Sequence, residues 1–397
     1  MNNIFFLVPY LFSFKWRSEY NILILCWLGW INIYLCRSVL PPILPLLAKE
    51  FNMTHAESGM LETLYLLDYL LAKVPIGLLS NRFGVKKTLT MGMVGYAFST
   101  FLNFFATNTL QLYFLRFLLG FFQGIHLPVA NMLLSEKFGK SQRKAIGFHE
   151  SGPNIGNSIA LPLTIAVVSI WNWRIAFLLF SLPAFMLAVF TYLMLEEDVY
   201  TDSVEKSFRG ILNLKSYANI LLPLIVAHST YNLCLRTLFI FIPSYLIELK
   251  GFNYWFAGWI STLIPLAGIF AKISSGYLAE MAGRRNAICI SIAISSFMIL
   301  LLTVEIGLKL TYLVFILIGL SIYTYSPIIY SSATETLPRE LKSIGLGLIT
   351  MVGNMVGAFS IYLVGFTIDV EGYIFALRSI ALLAFSSSIF IYLNFQN

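Results

Sequence analysis

Apolar runs long enough to cross a hydrocarbon core of about 30 Å recur along the whole chain, and nothing else in the sequence limits its fold so sharply. Such a segment has no water to bond its peptide groups, so each run must be a helix that satisfies its own backbone. Charged residues make up 11% of the 397 residues and apolar ones 58%, too little polar surface for a soluble globule of this length. The expectation is an all-α membrane protein with about twelve transmembrane helices.

The runs fall near 20–46, 58–80, 87–106, 110–134, 144–168 and 173–195, then near 219–248, 254–281, 286–306, 310–334, 342–368 and 372–395. Between the two sets, 196–218 carries Glu196, Glu197, Asp198, Asp202, Glu205, Lys206, Arg209 and Lys215. As the only long polar stretch, it reads as a linker. The expected organisation is an N-terminal six-helix half (1–195), a cytoplasmic linker (196–218) and a C-terminal six-helix half (219–397). Residues 4–14 are apolar but too short to span, and read as an interfacial segment. A removed signal peptide is the alternative, although the stretch lacks a basic start and a small-residue cleavage site.

The net charge of +7 does not point to nucleic acid, because the basic residues sit in short loops between spans. With the N-terminus inside, cytoplasmic segments hold about sixteen Lys/Arg and external loops about four. This asymmetry predicts a multi-pass protein of the cell membrane with both termini cytoplasmic, expected to be a monomer in contact with lipid. Cys26, Cys36, Cys234 and Cys289 all fall inside apolar runs, so neither a disulfide framework nor a zinc spacing is in view. His126, His149 and His228 also lack metal-site spacing and read as packed, hydrogen-bonded residues. There is no phosphate-binding P-loop, nucleophile elbow or pair of catalytic acids. Neither an enzyme nor a cofactor is expected.

An internal repeat organises the chain. Ala72-Lys73-x-x-x-Gly77-x-Leu79-x-x-x-x-Gly84 recurs as Ala271-Lys272-x-x-x-Gly276-x-Leu278-x-x-x-x-Gly283, at a constant offset of 199 residues. Arg37 and Arg236, each inside the first helix of its half, are separated by the same 199 residues. Duplicated halves related by an axis along the membrane normal describe a known class of carrier.

These residues resemble the major facilitator superfamily. Gly77-Leu-Leu-Ser-Asn81-Arg82-Phe-Gly84-Val-Lys86-Lys87 is similar to its loop between helices 2 and 3, with Asn81 where the family usually has aspartate. Arg116-x-x-x-Gly120-x-x-x-Gly124-x-x-x-Pro128 resembles the helix-4 motif, and Trp173-Arg174-x-Ala176-Phe177 the start of helix 6. Tyr34-Leu-Cys-Arg37, Leu233-Cys-Leu-Arg236, Tyr69-x-x-x-Lys73 and Phe122-Gln123-Gly124 resemble stretches of the organophosphate:phosphate antiporters, although Pro153 stands where those have a histidine. The related anion:cation symporters place acids where this chain has Cys36 and Gln123. The resemblance implies two six-helix bundles, one central site and alternating access. It also implies that Arg37 and Arg236 bind an anion.

An arginine at mid-bilayer depth costs several kcal/mol unless it faces partners or water. Neither Arg37 nor Arg236 has a carboxylate within one helical turn. Together they would form a planar multi-donor clamp for phosphate or carboxylate; the alternative is that each pairs with a carboxylate on another helix. Glu62, Tyr65, Tyr69 and Lys73 follow spacings of three and four and share one helix face, and Ser229, Asn232 and Arg236 form a similar stripe. The tyrosines have ordinary packing as an alternative, and Lys73 and Lys272 can snorkel to the interface. Glu62, Asp68 and Glu150 are the candidate proton carriers. Asp68, off the Lys73 face, can instead anchor a neighbouring helix, and Glu150 can be a solvated end charge. Arg116 reads as structural, holding helix 4 near the motif loop, and Arg378 as snorkelling.

The expected function is a carrier of small phosphate-bearing or organic anions, and Cys36 and Gln123, where the symporters keep acids, favour exchange; the alternatives are a proton-coupled organic-anion symporter and an exporter of hydrophobic compounds. A non-transporting membrane sensor is a further alternative. The charge asymmetry makes a topological prediction. On a cysteine-free background, a cysteine at position 207 should react with impermeant maleimide only after cells are opened; labelling in intact cells would invert the topology.

Overall fold

The computed structural model describes residues 18–196, 214–338 and 341–395, with side chains left undescribed at 73–82, 143, 214–215 and 343. The apolar segment 4–14, most of the linker, and the side chains of Lys73, Asn81 and Arg82 therefore lie outside the described set. So does the packing around Gly77.

The first half comprises α1 (Ser18–Ser38), α2 (Leu40–Phe51), α3 (His55–Phe83), α4 (Val85–Leu102), α5 (Thr109–Gly124), α6 (His126–Phe138), α7 (Gln142–His149), α8 (Gly152–Ile170) and α9 (Trp173–Met194). The second comprises α10 (Ala218–Glu248), α11 (Tyr254–Ser261), α12 (Leu263–Ala282), α13 (Arg284–Leu302), α14 (Leu308–Thr336) and α15 (Lys342–Asn394). Among the described residues, nine helical stretches are long and apolar enough to cross a membrane. Several join two of these helices end to end, as α1–α2, α5–α6, α7–α8 and α11–α12 do. The last, α15, has 53 residues with Gly372 at φ 81° inside it. It supplies the two spans expected at 342–368 and 372–395, and α3 and α4 complete the twelve.

Local sequence sets many of the ends. Asn108, Asn172 and Asn253 cap α5, α9 and α11 by accepting the backbone N–H of Gln111, Ile175 and Phe256. Gly84 and Gly283, the repeat's terminal glycines, sit at φ 80° and 78° in the α3–α4 and α12–α13 turns. A side chain there would be strained, which is why both copies carry glycine.

The repeat extends to packing. A Cβ on Gly120 of α5 would lie 2.2 Å from the Tyr65 carbonyl oxygen of α3, and one on Gly319 of α14 would lie 2.3 Å from the Ile264 carbonyl oxygen of α12. Both residues of the second contact are those of the first moved by the 199-residue offset. Without a hydrophobic driving force between helices in lipid, backbone approach at small residues is how such bundles pack. Large apolar side chains such as Leu110, Leu193 and Met281 stay exposed on the outer surface, as lipid contact requires.

The halves meet along α3 and α15, along α2 and α10, and where α8 touches α11 and α12. Thr63 Oγ1 donates to the Ala358 carbonyl at 2.8 Å, and a Cβ on Gly365 would lie 2.4 Å from the His55 carbonyl oxygen. At the α2–α3 turn a polar cluster joins the halves. The backbone N–H groups of His55 and Ala56 each donate to Asp369 at 2.8 Å. The His55 ring meets Asp369 at 2.7 Å and Glu248 at 2.9 Å, and the Tyr373 hydroxyl donates to Glu248 at 3.1 Å.

His55 lies in the turn ahead of the second span. Burial disfavours its charged ring, but the hydrogen bonds and charges of Glu248 and Asp369 outweigh that and raise its pKa above 6.5. Its contribution to the closed α2–α3 end is therefore fully present below about pH 6.5, while the carboxylates stay ionised, and fades as pH rises through the raised value. In His55→Ala, a reporter cysteine at Thr63 should react with maleimide at least threefold faster than in wild-type His55 at pH 6, and the difference should shrink toward pH 9. Equal rates at pH 6 would show that the cluster does not hold this end shut.

Candidate functional site

Arg37 sits near the middle of the α1–α2 stretch and Arg236 near the middle of α10. Their environments differ. Arg37 is 6% exposed, and its Nη2 and Nε both donate to Glu62 Oε1, at 2.8 and 3.2 Å. Its guanidinium carbon also lies 4.7 Å from the centre of the Tyr65 ring and 5.7 Å from that of Tyr34, a cation–π arrangement on two sides. The α3 stripe thus places a carboxylate against α1. The sequence expectation of two uncompensated guanidiniums is corrected: Arg37 forms a neutral pair with Glu62, the partner-on-another-helix alternative.

Arg236 is half-buried. Among the described residues its one hydrogen bond is from Nε to Asn232 Oδ1, at 3.5 Å. It lies within electrostatic reach of Arg37, Tyr34, Glu62 and Tyr231, so the two arginines face one another across the boundary between the halves.

The other expected contacts divide into liners and supports. Tyr65 is 1% exposed and donates its hydroxyl to Gln123 at 2.8 Å, while Gln123 Nε2 donates to the Ile33 carbonyl. Asn232 is fully buried, with Nδ2 on the His228 carbonyl. Tyr65 lies against the Arg37 guanidinium and Asn232 accepts from Arg236, so both hold the arginines in place. Tyr69 is partly exposed, stacks on Tyr65 at 6.0 Å, and lies within electrostatic reach of Tyr34, Arg37 and Glu150.

Glu150 is exposed, between α7 and α8, and interacts electrostatically with Tyr69, Tyr330 and Lys272. It therefore belongs to the rim of the inter-half space rather than to a remote end. Lys272 donates to Asn154 Oδ1 across the halves at 2.9 Å. Asp68 is 4% exposed and meets the backbone of Phe121 on α5, with one oxygen lacking a hydrogen-bond partner among the described residues. That is the helix-anchoring position, away from the arginines. Arg116 donates to the Arg37 carbonyl at 3.4 Å. It fastens α5 to α1; the motif-loop side chains at 73–82 lie outside the described residues. Arg378 donates to Thr303 at 3.3 Å.

His126 and His149 are buried and stack on Trp30, as packed residues do. The sequence reading missed the tyrosines of the second half. Tyr231 and Tyr330 are partly exposed, and Tyr323 lies within electrostatic reach of Arg236, Tyr34 and Arg37. Tyr231 stands five residues before Arg236, and Tyr323 is the 199-residue image of Gly124, but only the fold shows that they share a space.

The fold is two helical bundles meeting around these arginines, and the sequence comparison gives the family. Residues 26–361 match the Major Facilitator Superfamily, to which the chain belongs. It is 26% identical over 381 residues to a probable chloroplastic anion transporter of Arabidopsis thaliana (89% of this chain, 72% of that one). It is 24% identical over 296 residues to a D-galactonate transporter of Escherichia coli (68% and 69%). A shorter match, 29% identical to an uncharacterized transporter of Bacillus subtilis, covers 44% of this chain and 40% of that protein. Among solved structures, an inward-facing bacterial homologue of the human lysosomal transporter Spinster superposes with a TM-score of 0.84, covering 96% of this chain and 97% of that one at 14% identity.

Breaking a buried ion pair from one side strands the other charge, at a cost of about 3 kcal/mol. Arg37→Gln and Glu62→Gln should each lower the thermal stability of the detergent-purified protein. The double variant should lose clearly less than the sum, since contacting residues are coupled. Additive losses would show that the pair is not coupled.

Proposed function

We propose that the chain is a proton-coupled carrier of a small organic anion, with Arg236 as the anion anchor and Glu62 as the proton-binding group. The observation that carries this reading is the asymmetry of the two arginines: one is neutralised by a carboxylate, the other is not. An anion that reaches across to Arg37 meets the Glu62 carboxylate on the same guanidinium, and like charges there oppose binding. A proton on Glu62 removes that repulsion and frees Arg37 to join Arg236 in a fork-shaped hydrogen-bonding site. Proton and anion then bind cooperatively, each raising the affinity for the other by the same factor.

Charge supports the same cycle. Unloaded, Arg37, Glu62 and Arg236 sum to a single positive charge. With one proton and one monoanion bound, they do so again. Both states that must reorient carry the same charge, while the proton-only state carries an extra one, which low-dielectric surroundings penalise. Tyr69 on α3 would extend the site toward Glu150 at its rim, and Lys73 is assigned to the site from its place on the same helix face. We assign residues 1–195 and 219–397 to the two moving halves and place linker 196–218 and both termini in the cytoplasm of a cell-membrane protein. The His55 cluster then closes the external side.

A second reading, anion exchange, is favoured by Cys36 and Gln123. Both are held in hydrogen bonds to neutral groups, the Phe180 carbonyl at 3.4 Å and Tyr65, and offer no titrating group beside the arginines.

Proteoliposomes decide between the two. An inwardly directed proton gradient should drive accumulation of a transported carboxylate, and Glu62→Gln should lose that accumulation while keeping counterflow exchange. Arg236→Lys should lower uptake at least tenfold in both modes. Gradient-driven accumulation unchanged by Glu62→Gln would remove the proton assignment, and wild-type uptake by Arg236→Lys would remove the anchor.

A further inference from the structure

The groups around Arg236 narrow the anion it would hold, an inference that rests on the anion-carrier reading above. Polyhydroxylated acids are recognised by side-chain amides and carboxylates that offer paired donors and acceptors. Here the amides are already committed. Gln123 is bonded at both ends, to Tyr65 and to the Ile33 carbonyl. Asn232 is bonded at both ends, to the His228 carbonyl and to Arg236. Asn154 gives its oxygen to Lys272. The Glu62 carboxylate is held on Arg37.

Among the described side chains around the anchor, tyrosines predominate. Tyr34 and Tyr69 come from the first half, and Tyr231, Tyr323 and Tyr330 from the second. Tyr34 and Tyr231 are within electrostatic reach of Arg236, as are Tyr323 and Tyr330. Tyr69 reaches Tyr34 and Arg37 from the same side. The rings are fixed against one another: Tyr231 meets Tyr323 edge-on at 6.3 Å, and Tyr69 stacks on Tyr65 at 6.0 Å. Arg236 has its Nε on Asn232, so its two terminal nitrogens are the donors left to meet the two oxygens of a carboxylate. With one proton bound, a monoanion returns Arg37, Glu62 and Arg236 to the single positive charge of the unloaded site, whereas a phosphate dianion does not.

We propose that the site selects a monocarboxylate carried on a flat aromatic or conjugated frame, with the carboxylate on Arg236 and the frame between tyrosine rings of the two halves. Ring–ring contact adds roughly 0.5–1.5 kcal/mol beyond area burial for each well-placed pair, which favours a planar ligand over a saturated one of equal size and charge.

Binding to the purified full-length protein by isothermal titration tests this with four probes: benzoate, cyclohexanecarboxylate, gluconate and phenyl phosphate. Benzoate should bind at least tenfold tighter than each of the other three. Tyr231→Leu and Tyr330→Leu should each reduce the benzoate-to-cyclohexanecarboxylate ratio at least threefold, and Tyr231→Phe and Tyr330→Phe should preserve it. Equal or tighter binding of cyclohexanecarboxylate, gluconate or phenyl phosphate, lost in Arg236→Lys, would overturn the planar selectivity and leave the anion carrier standing. Failure of all four to bind, or binding indifferent to Arg236→Lys, would overturn both.

Discussion

A guanidinium almost removed from water in the middle of a membrane-length helix must find an anion, and in this protein it finds Glu62 on the neighbouring helix. Most of the central architecture follows from holding that pair. Tyr65 lies under the guanidinium and is fixed by Gln123; Gln123 is fixed by a carbonyl of α1; Arg116 ties α5 to the Arg37 carbonyl. The close approach of α5 to α3 at Gly120 makes this network reachable. A satisfied polar network in a low-dielectric interior is rigid, and a partly satisfied one is costly. Arg236, on the other half, has among the described residues a single hydrogen bond, to Asn232, and the proposed anion site rests on this difference between the two arginines.

The duplicated chain explains both the likeness and the difference. Gly120 against Tyr65 and Gly319 against Ile264 are the same backbone contact made twice, and Gly84 and Gly283 end equivalent helices in the same left-handed turn. Backbone approach repeats because small residues are needed at the same register. The functional side chains have diverged: Glu62 has Ser261 as its 199-residue image, so the first half carries a counterion that the second lacks. Two bundles built on the same repeat thus meet at a centre whose charge is unequal across the boundary.

Much of this was legible in the sequence. The twelve spans and two bundles follow from backbone satisfaction in lipid, and the offset of 199 marks the duplication. The α3 stripe of Glu62, Tyr65 and Tyr69 was readable from helical spacing, and Glu62 does reach the centre. What spacing does not encode is rotation and crossing of one helix against another. Periodicity put Glu62 and Tyr65 on one face without saying that the first would neutralise Arg37 and the second would be sealed beneath it. The same gap hid the tyrosines of α10 and α14, since a tyrosine in an apolar helix carries the same pattern whether it packs or lines a site. The His55 cluster was invisible for a related reason: its members are separated by 193 and 314 residues and meet across the two halves.

If Arg37 and Glu62 form a gate for the anion, binding must be accompanied by protonation. The most direct measurement is the number of protons taken up when the purified protein binds a carboxylate, read by titration calorimetry in buffers of different ionisation enthalpy. The account predicts close to one proton taken up per anion bound in the wild type and none in Glu62→Gln. Anion binding with no proton uptake by the wild-type protein would contradict it.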